Sequence, residues 1–171
     1  MISRLKNNIS GRVWKFGDSI DTNQLAGTAN AQNMEDYKKD CLAALNPEFP
    51  KLVKSGDIIV AGDNFGSGSS RQSAVEVLFY IGIKAVLVES VARIYFRTCM
   101  ALAFPLIIAP GISDIVEEGE ELGINYSEGI VSNLKNGEKI KIKKYAPSIE
   151  RIFDSGGLVR LMLKRLKEEG F

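Results

Sequence analysis

Histidine is absent from the 171 residues. That excludes a serine–histidine–aspartate triad, an imidazole acid–base and any histidine-ligated metal. Cysteine occurs twice, as Cys41 and Cys99, with no CxxC spacing. Neither a zinc site nor a cluster-binding run is visible, and a cubane iron–sulfur cluster needs more thiolates than this chain owns. Charge of one sign is also lacking: 22 basic and 21 acidic residues leave a net charge of +1. Such a balance gives no electrostatic reason to expect nucleic acid or an anionic membrane as partner. The lysines of 135–144, with Lys164, Arg165 and Lys167, alternate with apolar residues and read as solvated faces. No apolar run approaches the roughly 18 residues of a membrane span. The first seven residues have no leader-like apolar core, so the chain reads as intracellular, in the cytoplasm.

What is present is an ordinary globular composition, 45% hydrophobic and 25% charged, at a length suited to one domain over residues 1–171. Ile9 to Phe16 reads as an opening strand, followed by a turn at Gly17-Asp18-Ser19. Ala26 to Ala31 reads as an exposed loop. Asn33 is placed to cap a helix from Met34 to about Leu45, with Asp36 as box partner. Met34, Tyr37, Cys41 and Leu45 then share the inner face, which makes Cys41 a core thiol.

The centre is the most regular part. Asp57–Ala61, Ala85–Val88 and Pro105–Ile108 are short apolar strands. Helices over about 70–81 and 91–103 separate them, the first capped by Ser69 or Ser70 and stopped by Gly82. This βαβαβ run, with fully apolar strands, predicts a parallel sheet covered on both faces. Strands near 121–125 and 130–134, an Asn136-Gly137 hairpin and the alternating 139–143 stretch form a β-rich periphery. An amphipathic helix from Leu158 to about Lys167 closes the chain.

The sharpest feature is Gly62-Asp63-Asn64-Phe65-Gly66-Ser67-Gly68-Ser69-Ser70-Arg71, between an apolar strand and a helix N-terminus. Glycines allow close backbone approach, first-turn N–H groups point outward, and Arg71 adds a planar cation. Four readings compete. A Walker loop needs a lysine where Ser69 stands, and a dinucleotide fingerprint needs a glycine where Arg71 stands. An anion site and a simple capped turn both remain.

The stretch Asn64–Arg71 closely resembles the serine–arginine loop of the aconitase swivelling domain and of isopropylmalate dehydratase small subunits. The resemblance continues through Gly82-Ile83-Lys84-Ala85-Val86, Ser90–Arg97 and Phe104-Pro105-Leu106. It takes in Gly11–Trp14, Asp18–Thr22 and Gly156–Val159, so it spans nearly the whole chain. It implies a swivelling β/β/α domain with a parallel core. It implies the small subunit of a two-subunit hydro-lyase that moves water on a hydroxy di- or tricarboxylic acid, with isopropylmalate isomerisation in leucine biosynthesis as the leading case. A [4Fe–4S] cluster is then expected on a large partner subunit and none on this chain. Ser69 matches the family's base and Arg71 its carboxylate clamp. Ser70, Asn64, Gly68, Asp21 and Thr22 are the expected substrate contacts.

The chain departs from the family pattern in several places. Gln72 and Ser73 replace a glutamate and a histidine, Ser67 a cysteine, and Asn23 an aspartate. No arginine lies between Arg12 and Arg71, so the segment 24–32, where relatives select substrate, is small and neutral. Altered substrate choice is one expectation. Homoaconitase-, citramalate- or methylmalate-type activity and a non-catalytic anion-binding role are the alternatives. Arg93 and Arg97, four apart on one helix, share a face. Self-association of the isolated chain is expected if an apolar face is left bare.

Overall fold

The computed structural model describes residues 8–27 and 31–170. The expectations for residues 1–7, and for positions 28–30 of the loop read over 26–31, lie outside them.

The chain opens with β1 (Ile9–Lys15), which lies in the middle of a seven-stranded sheet. On one side β2 (Ile58–Ala61), β3 (Ala85–Val88) and β4 (Leu106–Ile108) run parallel to it in turn. On the other side β5 (Glu121–Asn125), β6 (Ile130–Asn133) and β7 (Lys139–Lys141) continue antiparallel. The periphery read from the sequence is therefore the same sheet, carried on through β1. Every residue of β2 and β3 is buried, which is what a parallel strand with both faces covered requires. β5 and β6 alternate buried with half-buried or exposed positions, as strands with one covered face do.

The helices α4 (Ser73–Ile81) and α5 (Arg93–Ala101) follow β2 and β3. α4 ends where expected, at Gly82 with φ 91°. A side chain there would collide with Ser55. Between β1 and β2 the chain differs from expectation. A short helix α1 (Thr22–Ala26) comes before the loop read over 26–31 and takes in its first residue, and Leu25 and Ala26 are fully buried. α2 (Met34–Asp40) is capped by Asn33 as foreseen, but ends five residues early. Its expected partner Asp36 accepts from Gln32 N–H instead of the cap. Cys41 leaves helical geometry at ψ 115° and Leu42 takes φ 56°, which turns the chain toward α3 (Phe49–Leu52). Cys41 is buried as expected, whereas Leu45 is 45% exposed.

The C-terminal part covers the β4 edge. Tyr145 donates to the Leu106 carbonyl, stacks on Phe153 and packs against Phe96. Phe153 belongs to α7 (Pro147–Ser155), a helix not foreseen, which begins with the proline that suits a first turn. α8 (Leu158–Glu168) follows, with no buried residue. Among the described residues no helix is long and apolar enough to cross a membrane. The opposite edge, β7, carries Lys139 and Lys141, charges that discourage strand addition.

One buried polar cluster fixes the antiparallel half. The buried Asn133 donates to Ile115 O and to Glu120, while Glu120 also accepts from Glu117 N–H and pairs with Lys135 at 2.9 Å. The Glu117 N–H, Lys135 and Asn133 together hold the Glu120 carboxyl down to about 2. A carboxyl depressed on folding stabilises above its unfolded value of 4.5, and that contribution fades as pH falls to about 2. Glu120→Gln is therefore expected to lower the denaturant midpoint at neutral pH. The gap from the parent should close between pH 4.5 and about 2, as a pH series of unfolding curves will show.

Candidate active site

The glycine–serine loop leaves the C-terminal end of β2 and is laced to both neighbouring strand ends. On the β1 side, Gly62 N–H donates to Gly17 O, Asp63 N–H to Asp18 Oδ1, and Gly66 N–H to Ile20 O at 2.7 Å. On the β3 side, Asn64 N–H donates to Ser90 Oγ, whose own hydroxyl donates to Asp63 Oδ1 at 2.7 Å. Phe65 bridges to Val91, and Ala92 N–H donates to Phe65 O. The loop thus lies at the carboxyl edge of parallel strands, where open α/β sheets place ligands.

Tyr95 supports the loop from below. Its ring meets Phe65 edge-on at 5.5 Å, and its hydroxyl donates to Ala74 O in the first turn of α4. Burial pushes the phenol well above its ordinary value, so it stays a donor. Gly66 has φ 73° and its absent Cβ would sit 2.2 Å from the Tyr95 ring. Only glycine fits this close approach.

Neither serine caps the helix. α4 begins at Ser73 after Gln72, which is itself helical at φ −63°, ψ −37° and gives no side-chain cap. The capping expectation fails because Thr22 holds the loop open: its N–H donates to Ser67 O and its hydroxyl to Ser69 O at 3.0 Å. The chain turns into helix only after Arg71. Ser69 and Ser70 are consequently exposed, and their hydroxyls form no hydrogen bond among the described residues. Asn64, at φ 56°, also leaves its side chain in solvent.

Arg71 is half-buried, with Nη1 3.3 Å from the Gly27 carbonyl, and no carboxylate lies within ion-pair distance among the described residues. Gly27 ends α1 at φ 63°, and a Cβ there would come within 2.5 Å of Asp40. The structure brings Asp21 and Thr22 against the same loop, in holding roles. Asp21 Oδ1 accepts from Asn23 and Gln24 N–H, and Gln24 Oε1 accepts from Asp21 N–H. Thr22 is 1% exposed. Gly68, at φ 88°, passes 3.5 Å from Thr22 Oγ1 at its would-be Cβ. The Gly27 carbonyl, the Tyr95 strut and the Asp18–Asp63–Ser90 lacing were not read from the sequence. Only the Asp21-x-x-Gln24 box, a known helix-start pattern, offered a signal for α1 and hence Gly27.

The donor set does not fit a cubane cluster on this chain. Cys41 and Cys99 are both buried, which pushes their thiols up, and no three metal-ligating side chains converge among the described residues. What the arrangement offers is two hydroxyls unengaged among the described residues, beside a guanidinium with no ion pair among them at a helix N-terminus, a receptor for a carboxylate next to a proton acceptor.

A sequence profile of the aconitase C-terminal domain matches residues 7–104. The 3-isopropylmalate dehydratase small subunit 1 of Methanopyrus kandleri is 41% identical, over 97% of this chain and 96% of that protein. The chain belongs to the isopropylmalate dehydratase small-subunit family. The isopropylmalate/citramalate isomerase small subunit of Methanocaldococcus jannaschii is 40% identical over 96% of this chain and 99% of its own length. A crystal structure of a 3-isopropylmalate dehydratase from the same organism superposes with a TM-score of 0.88 at 34% identity, covering 95% of this chain and 98% of that one. The mixed sheet and its swivelling-domain fold class are those of the family. As a small subunit within a hydro-lyase superfamily, the chain implies a large partner.

Proposed function

We propose that this chain supplies the proton-accepting and carboxylate-gripping half of an isopropylmalate dehydratase. The observation that carries this reading is the pairing of Ser69, whose hydroxyl makes no hydrogen bond among the described residues, with Arg71, held along one edge by Gly27 O and without an ion pair among the described residues. Arg71 grips a substrate carboxylate. Ser69 Oγ, as alkoxide, takes the proton from the carbon bearing that carboxylate. The C–H electron pair becomes the double bond as hydroxide leaves the neighbouring carbon. Charge grows on the gripped carboxylate during this step, so the guanidinium and the α4 N-terminus bind the transition state more strongly than the ground state. Their positive field also makes a serine alkoxide less unfavourable than in water. Ser70, Asn64 and the Gly68 backbone line the substrate, and Asp21 and Thr22 set the loop beneath it. A [4Fe–4S] cluster held by the large subunit would supply the Lewis acidity for the departing hydroxide, and no residue of this chain would hold it. The assembly works in the cytoplasm, in keeping with two cysteines that remain thiols.

The neutral segment 24–32 favours a substrate whose side group is apolar, isopropyl or methyl, over one with a third carboxylate. A citramalate-type substrate is thus the second reading, in line with the name of the M. jannaschii isopropylmalate/citramalate isomerase small subunit. Assaying the reconstituted pair on isopropylmalate, citramalate, homocitrate and citrate tests this. The expected preference, on the order of tenfold or more in kcat/KM, is for the first two. A preference for homocitrate or citrate overturns the substrate reading. Tight dicarboxylate binding by the chain alone without turnover points to the non-catalytic role.

A further inference from the structure

The site described is half a site, and its rim shows how the other half docks. α5 starts beside the loop: Val91 bridges Phe65 and Ala92 N–H donates to Phe65 O, so Arg93, the first helical residue, stands next to the reactive loop's anchor. Tyr95 and Cys99 point into the core. The opposite arc carries Arg93, Ile94 and Arg97, all exposed, with Ile94 at 50%. Residues four apart on a helix are side-by-side neighbours, so the two guanidinium groups project together past an apolar side chain.

These arginines have no ion-pair partner among the described residues. The carboxylates at the same end of the sheet are engaged elsewhere. Asp18 accepts from Asp63 N–H, Asp63 from Ser90 Oγ, and Glu89 from Gly111 and Ser113 N–H. Burial raises Glu89, but those N–H groups outweigh it and keep the carboxyl ionised and turned toward them. Lys39, Lys51, Lys135 and Lys164 each have a local acid, whereas Arg93 and Arg97, like Lys139, Lys141 and Arg160, have none among the described residues; what sets the two arginines apart is their place at the head of α5. Paired unneutralised arginines flanking an exposed isoleucine are the composition of a protein–protein contact.

We propose that Arg93, Ile94 and Arg97 form a docking patch for the cluster-bearing large subunit, which meets them with carboxylate side chains. This rests on the hydro-lyase reading. A partner that completes the site must close over Ser69 and Arg71, which belong to the same loop as the Phe65 that the start of α5 abuts. A second copy of this chain fits poorly, because its own patch repeats the same positive charge. The exposed stripe of Leu158, Val159, Met162, Leu163 and Leu166 on α8 is larger, but nothing ties it to the loop.

The test titrates the purified, cluster-loaded cognate large subunit into this chain and measures Kd by calorimetry at two salt concentrations, with kcat at saturation. Arg93→Glu/Arg97→Glu is expected to raise Kd by about 10²-fold or more at low salt and to flatten its salt dependence, with kcat at saturation unchanged. An unchanged Kd overturns the proposal. So does a fall in kcat at unchanged Kd, which would put the arginines inside the site. Leu163→Asp is the comparison: assembly lost there and kept in the arginine pair would move the interface to α8 and also overturn it. Wild-type assembly without turnover on any hydroxy acid counts against the functional reading alone.

Discussion

Ser69→Ala in the reconstituted enzyme is expected to lower kcat by about 10²–10⁴-fold, the range for loss of a positioned acid–base group. KM should change little, because the carboxylate grip is untouched. The folded state should lose less than about 0.5 kcal/mol, since the hydroxyl is exposed and makes no hydrogen bond among the described residues. Thr22 pins the Ser69 carbonyl, and alanine keeps that carbonyl. Ser70→Ala is the internal control. Its neighbouring hydroxyl lines the site without taking the proton, so its loss should cost about tenfold or less, below the usual range for the acid–base group itself. Steady-state kinetics on both variants, with unfolding curves beside them, check the ordering. Equal losses in the two would move the base from Ser69.

Arg71→Lys is expected to lower kcat/KM by about 10²–10³-fold, as removal of one strong electrostatic contact does, with both kcat and KM affected. Charge is preserved, so the size of the effect isolates the fork. One edge of the guanidinium is taken by Gly27 O at 3.3 Å, which leaves the other N–H groups to grip a carboxylate in parallel. An ammonium reaching the same place must share one point charge between the Gly27 carbonyl and the substrate. Kinetics of the lysine variant near the parent's would mean that net charge alone suffices, and that the planar geometry held by α1 has no catalytic value.

The parallel half of the fold was legible because its signals are dense and short-range. Ile58–Ala61 and Ala85–Val88 are apolar without interruption, and Gly82 stops the helix between them with a conformation few other residues adopt. The serine–arginine loop was legible as a string of residue types, and its place at the sheet's carboxyl edge followed from the strand before it. What the string does not hold is the loop's shape. Ser69 and Ser70 sit before a helix and have the right chemistry to cap it, yet Thr22, 47 residues earlier than Ser69, keeps the backbone from turning in time. That is a tertiary hydrogen bond overriding a local propensity. α1 goes unread for the complementary reason. Its five residues, Thr22–Ala26, are too few to show a helical period, and its burial comes from packing on α4 that no local pattern announces. α2 was overextended because Leu45 continued the apolar spacing after Leu42 had already left helical space. α7 escaped notice because one buried side chain, Phe153, anchors it.

On the proposed function, this chain completes a hydro-lyase by presenting Ser69 and Arg71 to a partner's half-site. The most direct measurement is to add the purified chain to its cluster-loaded large subunit under anaerobic conditions and follow the unsaturated intermediate formed from 3-isopropylmalate. Neither subunit alone is expected to turn over. Turnover should rise with added chain until the two are stoichiometric, and should fall by about 10²-fold or more when Ser69→Ala is the chain added. Full turnover by the large subunit alone, or equal turnover with the Ser69→Ala chain, would contradict it.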